Sequence, residues 1–449
     1  MKPNNTIPPI PHDGYKKILV RAGFNPLVKY SPCDFFSKNL VGDNLGNLLF
    51  AYGAMNVLWT ENTTIKQLYD KPHYSDEEID YINSNFDVFV MPMADAFRPS
   101  YLHQLRSYIS LIRKLKIPVI VLGIGLRTTY EPQFCINPEL DSVVKLFVST
   151  VLEHSAKLGL RGTITATYLS KLGFKEDRDF VPIGCPSLYT YGNNIHIKTI
   201  SSYDNIKCGK LLFNTNTWAK NHFSEFIPYI DNFIQNIVNE VPNHFLVQQK
   251  IQEFKYLYFG KIFSSRMLVN SIFTDDDFNK LHQEDRVKCF TNVPSWIKFC
   301  QDADLFVGNR FHGAVAAVLS GVPHIFLPFD GRTRELSEFH HLTSIIPDKI
   351  KEKSNIRDYI DVLDFKSFDN YQDANLSNYI EFLENNGLQH IFKQQSGYEI
   401  GLTPMEKLVD CSYISIPCME SLSVLGKTKR IISCLPFFAD RVKSHIHLF

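Results

Sequence analysis

The sequence predicts an α/β protein built as two Rossmann-like domains facing across a cleft, followed by an extra C-terminal segment. Three observations lead there. Short apolar runs alternate with amphipathic stretches in two successive series, a Gly, Asn and Ser-containing linker separates the series, and the 449 residues exceed what one ordinary core accommodates. The boundaries that follow are 1–190 for the first domain, 206–347 for the second and 348–449 for the extension.

In the first series the expected strands are Ile18–Ala22, Val88–Met91, Val119–Gly123, Gly159–Arg161 and Phe180–Ile183, with helical patterns at Asn47–Leu58, Tyr101–Leu115, Leu140–His154 and Thr165–Leu172. After the linker Tyr191–Asn205, the second series gives strands at Leu211–Asn214, Phe245–Gln248, Val287–Phe290, Leu305–Val307 and His324–Leu327. Its helical patterns are Glu225–Val238, Pro294–Ala303, Gly313–Leu319 and Arg334–His341. Open α/β sheets bind ligands at the carboxyl ends of their strands, so functional residues belong just after these runs. Beyond Pro347 the rhythm breaks, and a single helical stretch stands out at Leu376–Asn385.

Lysine plus arginine balance aspartate plus glutamate, 47 against 47, and 44% of residues are apolar, which sets aside bulk nucleic-acid binding and disorder. The start MKPNNTIPPIPHDGYKK lacks the apolar core of a secretory signal, and the longest apolar run, Ile117 to Leu126, is far short of the roughly 20 residues that span a bilayer. A cytoplasmic protein is expected. Its end, Gly426 to Phe449, mixes Lys427, Lys429, Arg430, Arg441 and Lys443 with Ile431, Ile432, Leu435, Phe437 and Phe438. That mixture suits either a peripheral contact with the anionic inner face of a membrane or a helix packed across the domains. Nine cysteines without CxxC or paired Cys/His spacing speak against a metal site and a disulfide framework.

The most informative stretch runs from Asp304 to Pro323: a buried strand, a turn bearing Arg310 and His312, then a helix of small residues. A helix N-terminus offers free N–H groups to an anion. Arg310 adds a planar fork suited to phosphate or carboxylate, and His312 can hold or release a proton. The structural alternative makes Arg310 an interdomain salt-bridge partner and His312 a cap. Gly313, Ala314, Ala316 and Ala317 bring the helix close to the sheet, and the next strand delivers Asp330, so two strand ends converge.

Arg-x-His, an Ala-rich helix, Gly321-Val-Pro323, a strand and Asp330 followed by basic residues resemble the C-terminal signature of polysaccharide pyruvyl transferases. Weaker similarities lie in the same order along the chain: Gly42-Asp43-Asn44-Leu-Gly46-Asn47, Gly123-Ile-Gly125, Arg161 before Thr163, and Gly184-Cys185-Pro186-Ser187. The resemblance spans approximately Lys17 to Leu342. It implies a GT-B-like enzyme of cell-surface glycan or exopolysaccharide biosynthesis. Such an enzyme moves pyruvate from phosphoenolpyruvate onto two hydroxyls of one sugar as a ketal, on a surface glycan or its lipid-linked precursor.

The resemblance further implies that His312, Arg310 and Arg161 are catalytic. Arg310, Phe311, Gly313, Asp330 and Arg332 would bind the donor, and Asp43, Asn44 and Asn47 the acceptor, with neither cofactor nor metal. For the loop Gly42–Asn47 a plain capping role is the equal alternative, and for Arg161 the alternative is an ion pair with Glu153 or Asp177. Two rivals remain: a GT-B glycosyltransferase using a nucleotide sugar, with Glu335 and Glu338 as its nearest acid pair, and a non-catalytic glycan-binding protein. Asp275, Asp276 and Asp277 read as helix-starting acids rather than metal ligands. The oligomeric state stays open.

Overall fold

Strands whose two faces are both covered by helices are apolar throughout, and the runs of the first series behave in this way. β1 (Lys17–Arg21), β2 (Thr64–Leu68), β3 (Val88–Pro92) and β4 (Val119–Leu122) form a parallel sheet in the order β2-β1-β3-β4. A bridge from Ile124 to Leu160 carries this sheet on to β5 (Leu158–Leu160) and β6 (Phe180–Pro182), which pair in parallel. The computed structural model describes residues 10–134, 137–200, 202–215, 225–260, 273–409 and 416–434.

The second domain repeats the layout. β7 (Leu211–Asn214), β8 (His244–Val247), β9 (Val287–Lys288), β10 (Leu305–Gly308) and β11 (His324–Phe326) form a parallel sheet in the order β11-β10-β7-β8-β9. The result is two parallel α/β domains facing across a cleft, the GT-B-like arrangement. Helix Asn47–Leu58 of the first domain buries every residue from Leu48 to Leu58. It packs on β3 and, across the cleft, on helices Val293–Gln301 and Phe311–Leu319. One continuous apolar core therefore runs from Tyr15 through both sheets.

β2 is absent from the expected strands for a physical reason. Its sequence TIKQL buries only Ile65, so an edge strand shows no apolar run. The C-terminal extension is likewise bound by polar side chains. Helix Ser367–Asn385 returns to the first domain, where Gln372 Nε2 donates to the carbonyls of Leu188 and Gly192, at 3.0 and 2.9 Å, and Asn378 Nδ2 donates to that of Pro182 at 2.8 Å. Tyr379 stacks on Tyr189 with ring centroids 4.4 Å apart. Further on, the buried Glu406 accepts hydrogen bonds from the hydroxyls of Tyr52 and Tyr191 and from the Gly401 N–H. Residues 367–408 thus complete the body of the first domain.

Segment 416–434 then lies against the second domain, with the Met419 N–H on the Leu257 carbonyl and the Cys418 N–H on the Asp285 carboxylate. Its helix Val424–Ser433 ends at Cys434, which is disulfide-bonded to Cys33, 401 residues earlier, with Cα atoms 6.0 Å apart. The sequence speaks against a disulfide framework, and among the described cysteines this single pair is what it missed. Dispersed cysteines hide a pair whose partners meet only once the chain has folded back. Arg441, Lys443, Leu435, Phe437 and Phe438 lie outside the described residues. Among the described residues no helix is long and apolar enough to cross a membrane.

Candidate functional site

A cavity of 440 Å³ opens where the carboxyl ends of both sheets face each other. The second domain contributes the turn after β10. Arg310 is the N-cap of helix Phe311–Leu319 and makes no side-chain cap, so the helix start stays open toward the cavity. The approach is close because Gly313 lacks a side chain: a Cβ there would stand 2.0 Å from Asn214 Nδ2 and 3.0 Å from Gln249 Nε2. Arg310 lines the cavity, yet its guanidinium is gripped by the buried Glu253, Nη2 to Oε1 at 2.7 Å and Nη1 to Oε2 at 3.0 Å. Its charge is largely spent on a partner within the second domain, not across the cleft.

His312 follows, packed between Phe311 and Phe50 of the first domain, with Gly46 directly against its ring. The ring is deeply enclosed, but one edge still meets the cavity. Burial, and then the charges of Arg161 and Arg332, push its pKa down to about 3, so the free protein carries a neutral imidazole.

The centre of the strongest concentration of charge, Asp95, was not singled out from the sequence, nor were Arg98 and Arg127, although Arg332, Asp330 and Arg161 were. Asp95, just beyond β3, is buried and takes contacts from three arginines. Arg127 Nε donates to it at 2.6 Å, Arg98 Nη1 stands 3.1 Å away, and Arg332 Nη1 stands 3.4 Å away. Burial opposes its ionisation, but Arg332, Arg98, Arg127 and Arg161 hold the carboxyl well below the usual range. Asp330 caps helix Gly331–Phe339 through the Thr333 N–H and accepts from Arg332 Nε at 2.8 Å, so it aims Arg332 at this cluster. The rule that ligands gather beyond strand ends could have found Asp95 and Arg127, which follow β3 and β4.

Arg161, at the end of β5, lies in the same wall. It is 5% exposed and its Nε has no hydrogen-bond partner, and neither of its expected partners, Glu153 or Asp177, reaches it. Gly125 leaves room for it, since a Cβ there would meet Arg161 Cδ at 2.9 Å. Asn309 and Gln249 add buried amide atoms without partners to the wall. The first-domain loop is strapped to the second domain: the Leu45 N–H donates to the Gln249 carbonyl, the Ile251 N–H to the Asp43 carbonyl, and Lys250 Nζ pairs with Asp43 at 2.8 Å. Asn44 Oδ1 accepts from the Gly46 N–H and Asn47 Nδ2 donates to the Val41 carbonyl, and all three loop residues face the cavity.

The family model for polysaccharide pyruvyl transferase matches residues 44–331, well over half of the chain. The chain belongs to the polysaccharide pyruvyl transferase family. Among solved structures it is similar, at fold level, to the UDP-GlcNAc 2-epimerase of Methanocaldococcus jannaschii in complex with UDP-GlcNAc and UDP, with 13% identity, TM-score 0.44, and 82% of this chain and 99% of that one covered. It is also similar to a functionally uncharacterized protein of Klebsiella pneumoniae, with 14% identity, TM-score 0.37, and 74% and 92% covered. Neither likeness is close enough to bear on activity. No curated protein matches the chain.

Other residues of this family member fall away from the chemistry. Cys185 is buried, donates its N–H to His340 Nε2 and has its thiol pKa raised by burial, which suits a structural role. Glu335 faces away from the cavity, and Glu338 pairs with Arg334, so the acid pair of the glycosyltransferase rival does not form there. Asp277 lies in the first turn of helix Asp275–Gln283, whose cap Thr274 accepts its N–H. Among the described residues no three His, Cys, Asp or Glu side chains gather as a metal site.

Proposed function

We propose that this protein transfers pyruvate from phosphoenolpyruvate onto a sugar of a cell-surface glycan or its lipid-linked precursor as a cyclic ketal. The observation that carries the reading is the imbalance of charge on the cavity wall. Arg98, Arg127, Arg161 and Arg332 face the cavity against the carboxylates of Asp95 and Asp330, and Arg161 has no acceptor at all on Nε. Guanidiniums in excess of carboxylates, one of them buried and three half-buried, suit a small ligand with two anionic groups, such as a carboxylate and a phosphate.

His312 would relay the sugar hydroxyl's proton to the donor's methylene carbon: protonation makes that carbon the methyl group and leaves C2 electron-poor, and the hydroxyl oxygen bonds to C2 as it gives up the proton. A second hydroxyl of the sugar then attacks C2 while the C2–O bond to phosphate breaks. Its proton leaves with the phosphate, whose charge the arginines hold. Asp43, Asn44 and Asn47 line the same cavity, which supports their reading as acceptor contacts. Helix Val424–Ser433 exposes Val424, Leu425 and Ile432 beside Lys427 and Lys429, which supports a peripheral contact with an anionic membrane.

Calorimetric titration with phosphoenolpyruvate and with a panel of nucleotide sugars tests the reading. Binding of phosphoenolpyruvate that Arg161→Gln abolishes supports it, and binding of nucleotide sugars alone overturns it.

A further inference from the structure

On the second-domain side the cavity wall holds polar groups for which the arginines do not account. Asn309 follows β10, one residue before the cap Arg310. It is fully buried, it lines the cavity, and among the described residues neither Oδ1 nor Nδ2 of its amide has a hydrogen-bond partner. Gln249, just beyond β8, is 1% exposed, and its Nε2 is likewise without a partner. That nitrogen stands at the first turn of helix Phe311–Leu319, 3.0 Å from where a Cβ on Gly313 would be.

The backbone at this place is open as well. The Arg310 N–H donates to Asn214 Oδ1 and the Gly313 N–H to the Arg310 carbonyl, both at 3.0 Å. The Phe311 and His312 N–H groups, at the first two helical positions, have no partner within the helix and receive no side-chain cap. Buried amides are normally satisfied, so idle donors gathered around one helix start mark a place that a ligand completes. These donors are uncharged, the charge of Arg310 is met by Glu253, and the helix dipole adds roughly half a positive charge. Such a set suits a group with one negative charge and two acceptor oxygens, which is a carboxylate. The guanidiniums of Arg98, Arg127, Arg161 and Arg332 suit a doubly charged phosphate.

We propose that Asn309 Nδ2, Gln249 Nε2 and the N–H groups of Phe311 and His312 form a carboxylate cradle that orients the donor, with its carboxylate at the helix start and its phosphate among the arginines. Phosphoenolpyruvate carries both groups on C2, the phosphate through an oxygen. Anchoring each in its own place presents C2 and the methylene carbon to His312, whose backbone belongs to the cradle and whose ring feels the charges of Arg161 and Arg332. The inference rests on the proposed transfer reaction and names Asn309 and Gln249 as the residues that select a donor bearing a carboxylate.

The test is calorimetry on the full chain with phosphoenolpyruvate, inorganic phosphate and isopropenyl phosphate, in which a methyl group replaces the carboxylate. Wild type is compared with Asn309→Leu and Gln249→Met. Each substitution exchanges an unsatisfied buried amide for an apolar group of similar size, so the melting temperature should hold or rise. Wild type is expected to prefer phosphoenolpyruvate to isopropenyl phosphate tenfold or more. Each variant should lose that preference while binding inorganic phosphate as before. No preference in wild type, which tests the cradle even if a variant fails to fold, overturns it. Equal loss of all three ligands in the variants, or a preference unchanged in both, overturns it too. Pyruvate, titrated by ligand-observed NMR at saturating inorganic phosphate, separates the cradle from the reading beneath it. Binding of pyruvate that depends on Asn309, in a protein that does not bind phosphoenolpyruvate, keeps the cradle and sinks pyruvyl transfer; binding of neither sinks both.

Discussion

Arg310 and Glu253 form a buried, two-pronged ion pair within the second domain, with both terminal nitrogens of the guanidinium on the two carboxylate oxygens. Removing one partner of such a pair leaves an uncompensated charge, a loss of about 3–5 kcal/mol, whereas replacing both by apolar groups can be nearly neutral. Arg310→Ala is therefore expected to unfold at markedly lower denaturant, and Arg310→Met with Glu253→Gln, which removes the buried charge but keeps an acceptor for the Gln249 and Lys250 N–H groups, to recover part of that loss. Equilibrium unfolding of the three proteins checks this, and it shows why inactivity of Arg310→Ala alone would not identify a donor contact.

Arg161 presents the opposite case. It is a buried cation with an unpartnered Nε, so shortening it relieves an unsatisfied group while emptying the anion site. Arg161→Gln is expected to keep or slightly raise the melting temperature and to weaken phosphoenolpyruvate binding by at least a hundredfold. Parallel calorimetric titration and thermal unfolding read both quantities.

Glu335 reaches from the second domain to the start of helix Thr163–Lys171, accepting from the Thr165 N–H at 2.5 Å and from its hydroxyl at 3.0 Å. Burial raises its pKa to about 7, partly offset by those bonds and by Arg161. The folded state then binds a proton that the unfolded chain, near 4.5, has lost, so this group's stabilisation is complete below pH 4.5 and declines as pH rises to about 7. The histidines at positions 282, 312, 324 and 340, depressed to about 3 or 4, act in the opposite direction below about 6.5. The difference between wild type and Glu335→Gln isolates the carboxyl. Relative to the variant, wild type should lose stability steadily from pH 5 to 7 in denaturant titrations.

Gly46 has an ordinary helical φ of −58°, so alanine fits its backbone, but the added Cβ would stand 2.6 Å from His312 Nδ1. Gly46→Ala should displace the imidazole and little else. The expected outcome is a loss of kcat of tenfold or more with phosphoenolpyruvate affinity preserved, read from phosphate release and direct titration.

The strands of both sheets could be read from the sequence because buried parallel strands carry unbroken apolar runs, as in Val119–Leu122 and Leu305–Gly308. β2 could not, and neither could the start of helix Ser367–Asn385, where before Leu376 the buried face holds only Phe368 and Gln372, and Gln372 and Asn375 bind backbone carbonyls. For the site, the turn Arg310–Gly313 and Arg161 were recognisable because they follow strands and sit beside glycines. In the Asp95 cluster only Arg98 is a sequence neighbour, three residues on; Arg127 comes from the loop after β4 and Arg332 from the helix Gly331–Phe339 of the other domain, and no spacing in the sequence encodes their meeting. Glu253 was hidden for the same reason: it reaches Arg310 from a helix more than fifty residues upstream.

The chain passes between the two halves of the molecule more than once: through the linker after Tyr191, back again into helix Ser367–Asn385, and once more to segment 416–434, which Cys434 then ties to Cys33. Backbone bonds from Leu45 to Gln249 and from Ile251 to Asp43 add stitches along the rim. A body sewn at so many points does not gape like a jaw on a single hinge. The separation of the two cavity walls is therefore set by where the chain crosses and is tied, not by the swing of one linker.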